Sequence, residues 1–501
     1  MVVPGAVLWD IYRKVQSIIW GSDNTLKVRM NSAKSRRRFL KGAGAATVAG
    51  LAGCSGQGGD GGSDDDGGSG DDGGSSDDGT TMGSGGGSDV TIKFWHAMGG
   101  DLAQRIDDIV NSFEEQSDGI TVETTSRNSY RDNLNATTSA VSSGSPPALS
   151  QIFEIGTQLG VDSQAFVPVE DIIPSGQIDF DSFLDPVLDF YRIDGKLNSM
   201  PFNSSNAIMM YNRDAFEEAG LDPDSPPTSY QGVTEAANTL TSQGVVEQGM
   251  TFPNHSWFVE SWFAQQNTTL VNNDNGRAGR ATESNLDSDA AQNIFEWWVD
   301  LYEQDQYLNP GIEAWGEAQQ AFLTQQTGMI IYSTSSIAPM KQGAADNGFE
   351  LDTAYLPAPG GDRTGIPIGG ASLWVPQGLS DAQQQAAGEL LVYITQPEQQ
   401  ASWHRGTGYF PVHEGAISQL EEDGFYEENP SFRTAIDQLN ETESTPATSG
   451  ALMGPFPEVR TIIEEGYIEM IQNEGTDVAS ALSEVKSDVD SAIQSYNDRV
   501  S

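Results

Sequence analysis

Strand and helix patterns alternate along the chain from residue 89 onward. Val90 to Trp95 is a run of β-branched and aromatic side chains that predicts a buried strand, and Asp101 to Glu115 carries apolar residues at the spacing of an amphipathic helix. Ile120 to Thr125 predicts a second strand, Ala148 to Glu154 a third and Ala207 to Tyr211 a fourth. Met329 to Tyr332 and Leu373 to Val375 are short apolar strands between helical segments, and the last hundred residues read as mostly helical. This rhythm predicts an α/β fold. With no internal repeat and no second linker, residues 89–501 are expected to form one unit of two α/β lobes built from interleaved segments.

The pattern changes upstream. Residues 31–54 read NSAKSRRRFLKGAGAATVAGLAGC, a basic start followed by a weakly apolar Gly/Ala run too short to span a membrane as a stable helix. Ser35-Arg36-Arg37-Arg38-Phe39-Leu40-Lys41 resembles a twin-arginine export signal, and Leu51-Ala52-Gly53-Cys54 resembles a lipobox whose cysteine thiol takes a lipid. Residues 30–54 are therefore expected to be a twin-arginine lipoprotein signal starting at Met30. Residues 1–29 are then either a mis-assigned start or a genuine extension. Ser55 to Ser88 is Gly, Ser and Asp with almost no apolar side chain, and cannot bury a core of its own. As a flexible coil it would reach on the order of 30 Å, which makes it an expected disordered tether behind the lipidated Cys54.

Charge narrows the function further. The chain of 501 residues has 72 Asp and Glu against 25 Lys and Arg, a formal net charge of −47, which repels nucleic acid and anionic surfaces. After Cys54 the lysines are Lys93, Lys196, Lys341 and Lys486. A surface so dominated by carboxylates reads as adaptation to concentrated salt, as in a halophilic archaeon; an ordinary acidic protein is the alternative. Cys54 is the single cysteine, which excludes a disulfide framework and a cysteine-based zinc site. His96, His255, His404 and His413 show no ligand spacing, and no P-loop or G-x-S-x-G elbow is present. No metal or cofactor is expected.

Six strings then occur in a fixed order: Phe94-Trp95-His96-Ala97-Met98, Tyr130-Arg131-Asp132-Asn133-Leu134, Phe153-Glu154-Ile155-Gly156-Thr157, Pro201-Phe202-Asn203-Ser204-Ser205, Ile368-Gly369-Gly370-Ala371-Ser372-Leu373-Trp374 and Trp403-His404-Arg405-Gly406-Thr407-Gly408-Tyr409. Together with Met210 to Phe216, Ala219 to Pro223 and Gly424 to Glu427, they resemble the glycerol-3-phosphate-binding components of ABC importers, within the extracellular solute-binding family that also holds maltose-binding proteins. The resemblance runs from about Val90 nearly to the C-terminus. It implies a two-lobed, type II periplasmic-binding-protein-like clamshell with hinge strands, closing on a ligand held between the lobes. It also implies ligand contacts at Tyr130, Glu154, Ser205, Ser333, Gly370, Tyr409 and Arg460, with Trp257 as an aromatic facing the ligand. A neighbouring family tryptophan corresponds to Asn254 here, a departure that bears on the glycerol end of the site.

Each of these residues also has a plainer reading. Arg460 offers a planar fork for a phosphate, or pairs with Glu464 four residues on in a helix. Gly369-Gly370-Ala371-Ser372 lets backbone N–H groups approach an anion, or forms a tight turn before a strand. Ser205, Ser333, Tyr130 and Tyr409 supply hydroxyl donors, though half-buried tyrosines are commonly structural. Glu154 ends an apolar strand, where its charge needs partners such as ligand hydroxyls or a structural cation. Trp257 covers a ligand or belongs to the lobe core, as Trp262, Trp297 and Trp298 are expected to.

The leading expectation is a monomeric lipoprotein, held on the outer face of the cell membrane, that captures sn-glycerol-3-phosphate or a glycerophosphodiester. It would deliver this phosphorylated polyol to the transmembrane subunits of an ABC permease with a cytoplasmic ATPase, and perform no chemistry. A sugar or oligosaccharide receptor is the alternative within the class. A secreted hydrolase using Glu154 and Glu260 is the alternative outside it. Asn135, Asn203, Asn254, Asn267 and Asn440 lie in N-x-S/T patterns open to glycosylation, Asn203 being excluded if it lines the cleft.

Overall fold

The computed structural model describes residues 89–127 and 129–500. The expected signal, Cys54 and the tether lie outside them. The strands, in chain order, are β1 Val90–His96, β2 Ile120–Ser126, β3 Leu149–Phe153, β4 Phe166–Val167, β5 Arg192–Ile193, β6 Lys196–Leu197, β7 Met200–Ser205, β8 Ala207–Asn212, β9 Gln248–Thr251, β10 Tyr307–Leu308, β11 Thr327–Ser333, β12 Leu351–Tyr355 and β13 Gly369–Pro376. They form two main sheets, β2-β1-β3-β13-β4 with β7 on β13, and β10-β9-β11-β8-β12, plus the β5-β6 hairpin. Each main sheet mixes parallel and antiparallel pairs and is the heart of one lobe, as in the type II binding-protein clamshell.

The burial of each strand follows its place. β3, β8 and β11 are interior strands buried at every residue, and they read in sequence as continuous runs rather than alternating ones. β7 was not expected because MPFNSS is polar and contains Pro201. Among the described residues its only ladder is with β13, apart from a single bridge between Ser204 and Phe410, and a proline is tolerated on such an edge. The chain leaves the first sheet at Ser205 and enters the second at Ala207, returning between Tyr355 and Gly369. Asn206, fully buried at the first crossing, accepts from Thr334 N–H through its carbonyl and donates its side chain to the Ala435 carbonyl. That crossing is therefore anchored rather than free.

The closing helices Phe456–Gln472 and Val478–Val500 pack on each other and against helices of the second lobe. Trp262 and Trp298 are fully buried there, and Trp298 stacks on Tyr467 at 3.7 Å. Among the described residues no helix is long and apolar enough to cross a membrane. Asn203 and Asn254 are buried, so neither is open to glycosylation, whereas Asn135, Asn267 and Asn440 are exposed.

Candidate functional site

A cavity of about 580 Å³ opens where strand ends and helix starts from both sheets meet. Tyr130, Glu154, Ser205, Trp257, Ser333, Gly370, Tyr409 and Arg460 all line it. Local structure accounts for their convergence. Ser129 caps helix Tyr130–Ser142 by accepting from Asp132 N–H, which places Tyr130 at its first turn facing inward. Glu154 opens a single 3₁₀ turn immediately after β3, which ends at Phe153, one residue short of the expected strand end. Ser205 and Ser333 end β7 and β11, the second strand lying opposite Ala207 in register. Gly408, at φ +110°, ends helix Pro397–Thr407 where a Cβ would meet the Thr334 carbonyl oxygen at 2.2 Å, and it turns Tyr409 into the cavity. His404 Nδ1–H then donates to the Tyr409 carbonyl at 2.8 Å.

The floor on the first-lobe side is a chain of polar contacts. Ala97 N–H donates to Gln151, Gln151 donates to Asn203 at 2.8 Å, Asn203 donates to the Tyr130 hydroxyl at 2.8 Å, and Tyr130 meets Tyr409 hydroxyl to hydroxyl at 3.3 Å. Burial moves both tyrosines up from the usual range, Tyr130 strongly and with Tyr409 adding to it, whereas the hydrogen bond from Tyr130 pulls Tyr409 back the other way. Both remain hydrogen-bond donors at any physiological pH. Phe153 stacks on Tyr130 with ring centres 5.7 Å apart and fixes its plane.

Arg460 does not pair with Glu464. Its Nε and Nη2 donate to the two oxygens of Glu260 at 2.7 and 2.9 Å, and Nη2 also donates to Glu154 at 2.5 Å. Burial opposes the guanidinium charge, but Glu260 and Glu154 outweigh it and hold Arg460 firmly protonated. Glu464, one turn further along the helix, accepts from Ser256 N–H at 3.0 Å instead. Burial raises its carboxyl to about 7, with the nearby Glu313 adding in the same direction against the Ser256 bond. His255 sits 3.9 Å from it and is kept neutral by burial and then by Arg460.

Gly370 is required by the packing of the strands themselves. It lies inside β13 at φ +99°, and a Cβ there would stand 2.0 Å from the Asn203 carbonyl oxygen. The close approach of β7 against β13 excludes a side chain there, while Gly370 also lines the cavity. A Cβ on Gly369 would lie 2.4 Å from the Trp257 ring, so that glycine seats the indole. Trp257 is 5% exposed and lines the cavity, whereas Asn254 is turned away and donates to the Glu464 carbonyl at 2.9 Å.

Several lining residues escaped the sequence reading. Trp315 and Tyr332 pack edge to face at 5.0 Å beside Trp257 and complete an aromatic wall. Glu313 and Arg131 form a half-exposed ion pair at the rim, 3.5 Å apart. Glu260, which stands behind Arg460 and not in the wall of this cavity, enters the sequence reading only as half of a hydrolytic carboxylate pair. Both of those carboxylates grip the same guanidinium.

The profile of the family described as bacterial extracellular solute-binding protein matches residues 108–434. The sn-glycerol-3-phosphate-binding periplasmic protein UgpB of Pectobacterium atrosepticum is 30% identical over 390 residues, covering 77% of this chain and 87% of the relative. The protein of the same name from Escherichia coli K12 is 31% identical over 383 residues, covering 75% and 86%. Among solved structures, UgpB of Mycobacterium tuberculosis in complex with glycerophosphocholine superposes with a TM-score of 0.67 at 21% identity, over 82% of this chain and 99% of that one. The cyclic alpha-maltosyl-1,6-maltose binding protein of Arthrobacter globiformis gives 0.66 at 22% identity, over 81% and 100%.

Proposed function

This chain belongs to the bacterial extracellular solute-binding protein family, and from that premise we propose that it is the receptor of an ABC importer for sn-glycerol-3-phosphate or a glycerophosphodiester. The observation that carries the reading is the meeting, on one cavity, of a buried guanidinium with the hydroxyls of Tyr130, Tyr409, Ser205 and Ser333. Arg460 supplies the positive charge for a phosphate, those hydroxyls supply neutral donors, and Glu154 supplies an acceptor for glycerol hydroxyls. The names of the relatives point to the same ligand class. Binding and release, not bond breaking, is the activity.

Residues 89–501 act as the solute-binding domain, and residues 55–88 tether it to a lipid on Cys54 at the outer face of the membrane. It works as a monomer that presents its loaded clamshell to the permease subunits, in surroundings of high salt. A second reading, a sugar or oligosaccharide receptor, draws on the aromatic wall of Trp257, Trp315 and Tyr332, which suits the apolar face of a pyranose ring. Titration calorimetry in concentrated salt with glycerol-3-phosphate, glycerophosphocholine and maltose decides between them. Preference for maltose would replace the phosphate reading.

A further inference from the structure

Three metal-ligating side chains from separate segments converge at the rim of the cavity. A ring nitrogen of His255, a carboxylate oxygen of Glu313 and one of Glu464 all lie within 4.8 Å of one another. His255 and Glu313 line the cavity, and Glu464 backs them from the closing helix Phe456–Gln472. Spacing along the chain does not announce this cluster, because Asn254 assembles it. The Asn254 N–H donates to the Gly311 carbonyl at 3.0 Å, its carbonyl accepts from Glu313 N–H at 3.0 Å, and its side chain donates to the Glu464 carbonyl at 2.9 Å. The position at which the family resemblance has a tryptophan thus pins the loop of Glu313 and the helix of Glu464 to the residue before His255.

Glu464 is the member that calls for an occupant. It is 1% exposed, and among the described residues no Lys or Arg lies within ion-pair distance of it. Arg460, one turn earlier, is already paired with Glu154 and Glu260. Ser256 N–H reaches Oε1 at 3.0 Å, and among the described residues no hydrogen bond reaches the other oxygen. A carboxylate buried without a cation is costly, and burial accordingly raises this one to about 7. His255 is not the missing cation, since burial and then Arg460 and Arg131 keep its ring neutral, the form that ligates a metal. Around this end of the cavity Glu154, Glu260, Glu313 and Glu464 stand against Arg131 and Arg460, two more carboxylates than guanidiniums.

We propose that His255, Glu313 and Glu464 form a site for one divalent transition-metal ion of the zinc class, with its open coordination position facing the cavity. Mixed imidazole and carboxylate donors favour such an ion over calcium or magnesium, which take oxygen ligands. Three protein donors leave a position for water or for an atom of the bound solute. His255 Nδ1, 3.9 Å from Glu464 Oε1, gives the ion the lone pair that now accepts the Trp257 N–H. Ion-to-donor lengths of roughly 2.0–2.2 Å require the triad to contract. Glu313 supplies the movement, because its side chain is 46% exposed and is held by a half-exposed Arg131 at 3.5 Å, a weak pair. For its role the ion rests on the anion-binding reading above: it adds a second positive centre to the cavity of Arg460 and takes a phosphate oxygen or a glycerol hydroxyl. Binding of the ion itself does not depend on that reading.

The test is calorimetry of the chelator-treated full chain in 3 M potassium chloride, where screening suppresses loose binding of ions to surface carboxylates. The chain carries Cys54→Ser, which removes its one thiol. Zinc should bind at one site per chain, and His255→Ala, Glu313→Gln and Glu464→Gln should each weaken it about tenfold or more. Glu469→Gln, an exposed change on the same closing helix, should leave it as in the parent. Cobalt should give visible absorption bands that the same three variants lose, and Glu313→Gln, itself exposed, keeps the test open where a buried variant fails to fold. Glycerol-3-phosphate should bind about tenfold tighter with zinc present, and zinc should gain by the same factor from glycerol-3-phosphate. No zinc binding, binding that all three variants leave unchanged, or calcium held as tightly as zinc would overturn the site. Zinc bound there without effect on glycerol-3-phosphate would overturn its role in the cavity. Failure of glycerol-3-phosphate to bind with or without zinc would overturn the anion-binding reading, while the zinc titration alone still decides the ion site.

Discussion

Arg460 and Glu154, 306 residues apart in sequence, are joined by a 2.5 Å hydrogen bond from Nη2 to Oε1. The contact ties a C-terminal helix to the end of β3 in the first lobe and fixes the guanidinium in the cavity wall. Removing it would leave Glu154 and Glu260 buried without a cation. Breaking a buried pair in this way costs roughly 3–5 kcal/mol.

Arg460→Ala should therefore lower the thermal midpoint and weaken glycerol-3-phosphate by about 30-fold or more. Arg460→Lys should recover part of both losses, since an ammonium keeps the charge but cannot reproduce the fork. Calorimetry on folded protein checks the binding. Parent-like affinity in Arg460→Ala would remove the guanidinium from the ligand site.

Gly370→Ala tests the close approach of β7 and β13. The new Cβ would meet the Asn203 carbonyl oxygen, and the backbone would hold alanine at φ +99°. Strain of this kind costs on the order of 1–3 kcal/mol. A drop in thermal midpoint in the absence of any ligand is the expected result, and an unchanged midpoint would mean the strands can part at no cost.

Tyr130, Glu154, Ser205, Gly370 and Tyr409 were legible because they sit in short strings that a resemblance carries, and Trp257, Ser333 and Arg460 only through the positions the resemblance implies outside those strings. Trp315 and Glu260 were not, because their importance comes from neighbours distant in sequence, Tyr332 for one and Arg460 for the other. The same limit misplaced the partner of Arg460: helical spacing offered Glu464, while the fold supplied two carboxylates from elsewhere. Interior strands such as β8 and β11 announce themselves as apolar runs, with bounds within a residue or two of those expected. The edge strand β7 does not, since Pro201, Asn203, Ser204 and Ser205 carry no strand pattern and are held by β13 and the floor of the cavity.

Cys54→Ser should give an exported protein that no longer partitions with membranes, because the serine hydroxyl cannot take the thioether-linked lipid. Replacing Arg36 and Arg37 by lysine should instead stop export. Detergent phase separation reads the first variant and cell fractionation the second. Unchanged membrane association of Cys54→Ser would sink the anchor.

Glu464 makes stability depend on pH in a direction opposite to that of a salt-bridged carboxylate. In the fold its proton is held up to about 7, and in the unfolded chain it leaves near 4.5. Between those values the folded protein binds more protons than the unfolded one, so this residue's contribution falls as pH rises, by roughly 1.4 kcal/mol per pH unit. Glu464→Gln keeps an acceptor for Ser256 N–H and removes the titration. The variant should be more stable than the parent at pH 8 and show a flatter profile between pH 5 and 7 in denaturant titrations.

Stability should also rise with salt, for a reason visible in where the cations lie. Arg213 is within ion-pair distance of Asp224, Glu350 and Asp352, and Arg433 is paired with Glu421 and Asp437, so scarce cations are shared among several carboxylates. With 72 acidic residues against 25 Lys and Arg, carboxylates outnumber cations nearly threefold and repel one another. Their repulsion reaches about 10 Å at 0.1 M salt and about 3 Å at 1 M. Screening the repulsion should stabilise the fold more than screening the exposed ion pairs weakens it, because such pairs contribute little individually. The thermal midpoint should therefore climb between 0.1 and 3 M potassium chloride, in the presence of a chelator so that divalent ions do not supply the effect. A midpoint that stays level or falls over that range would show that the net charge of −47 is tolerated without salt.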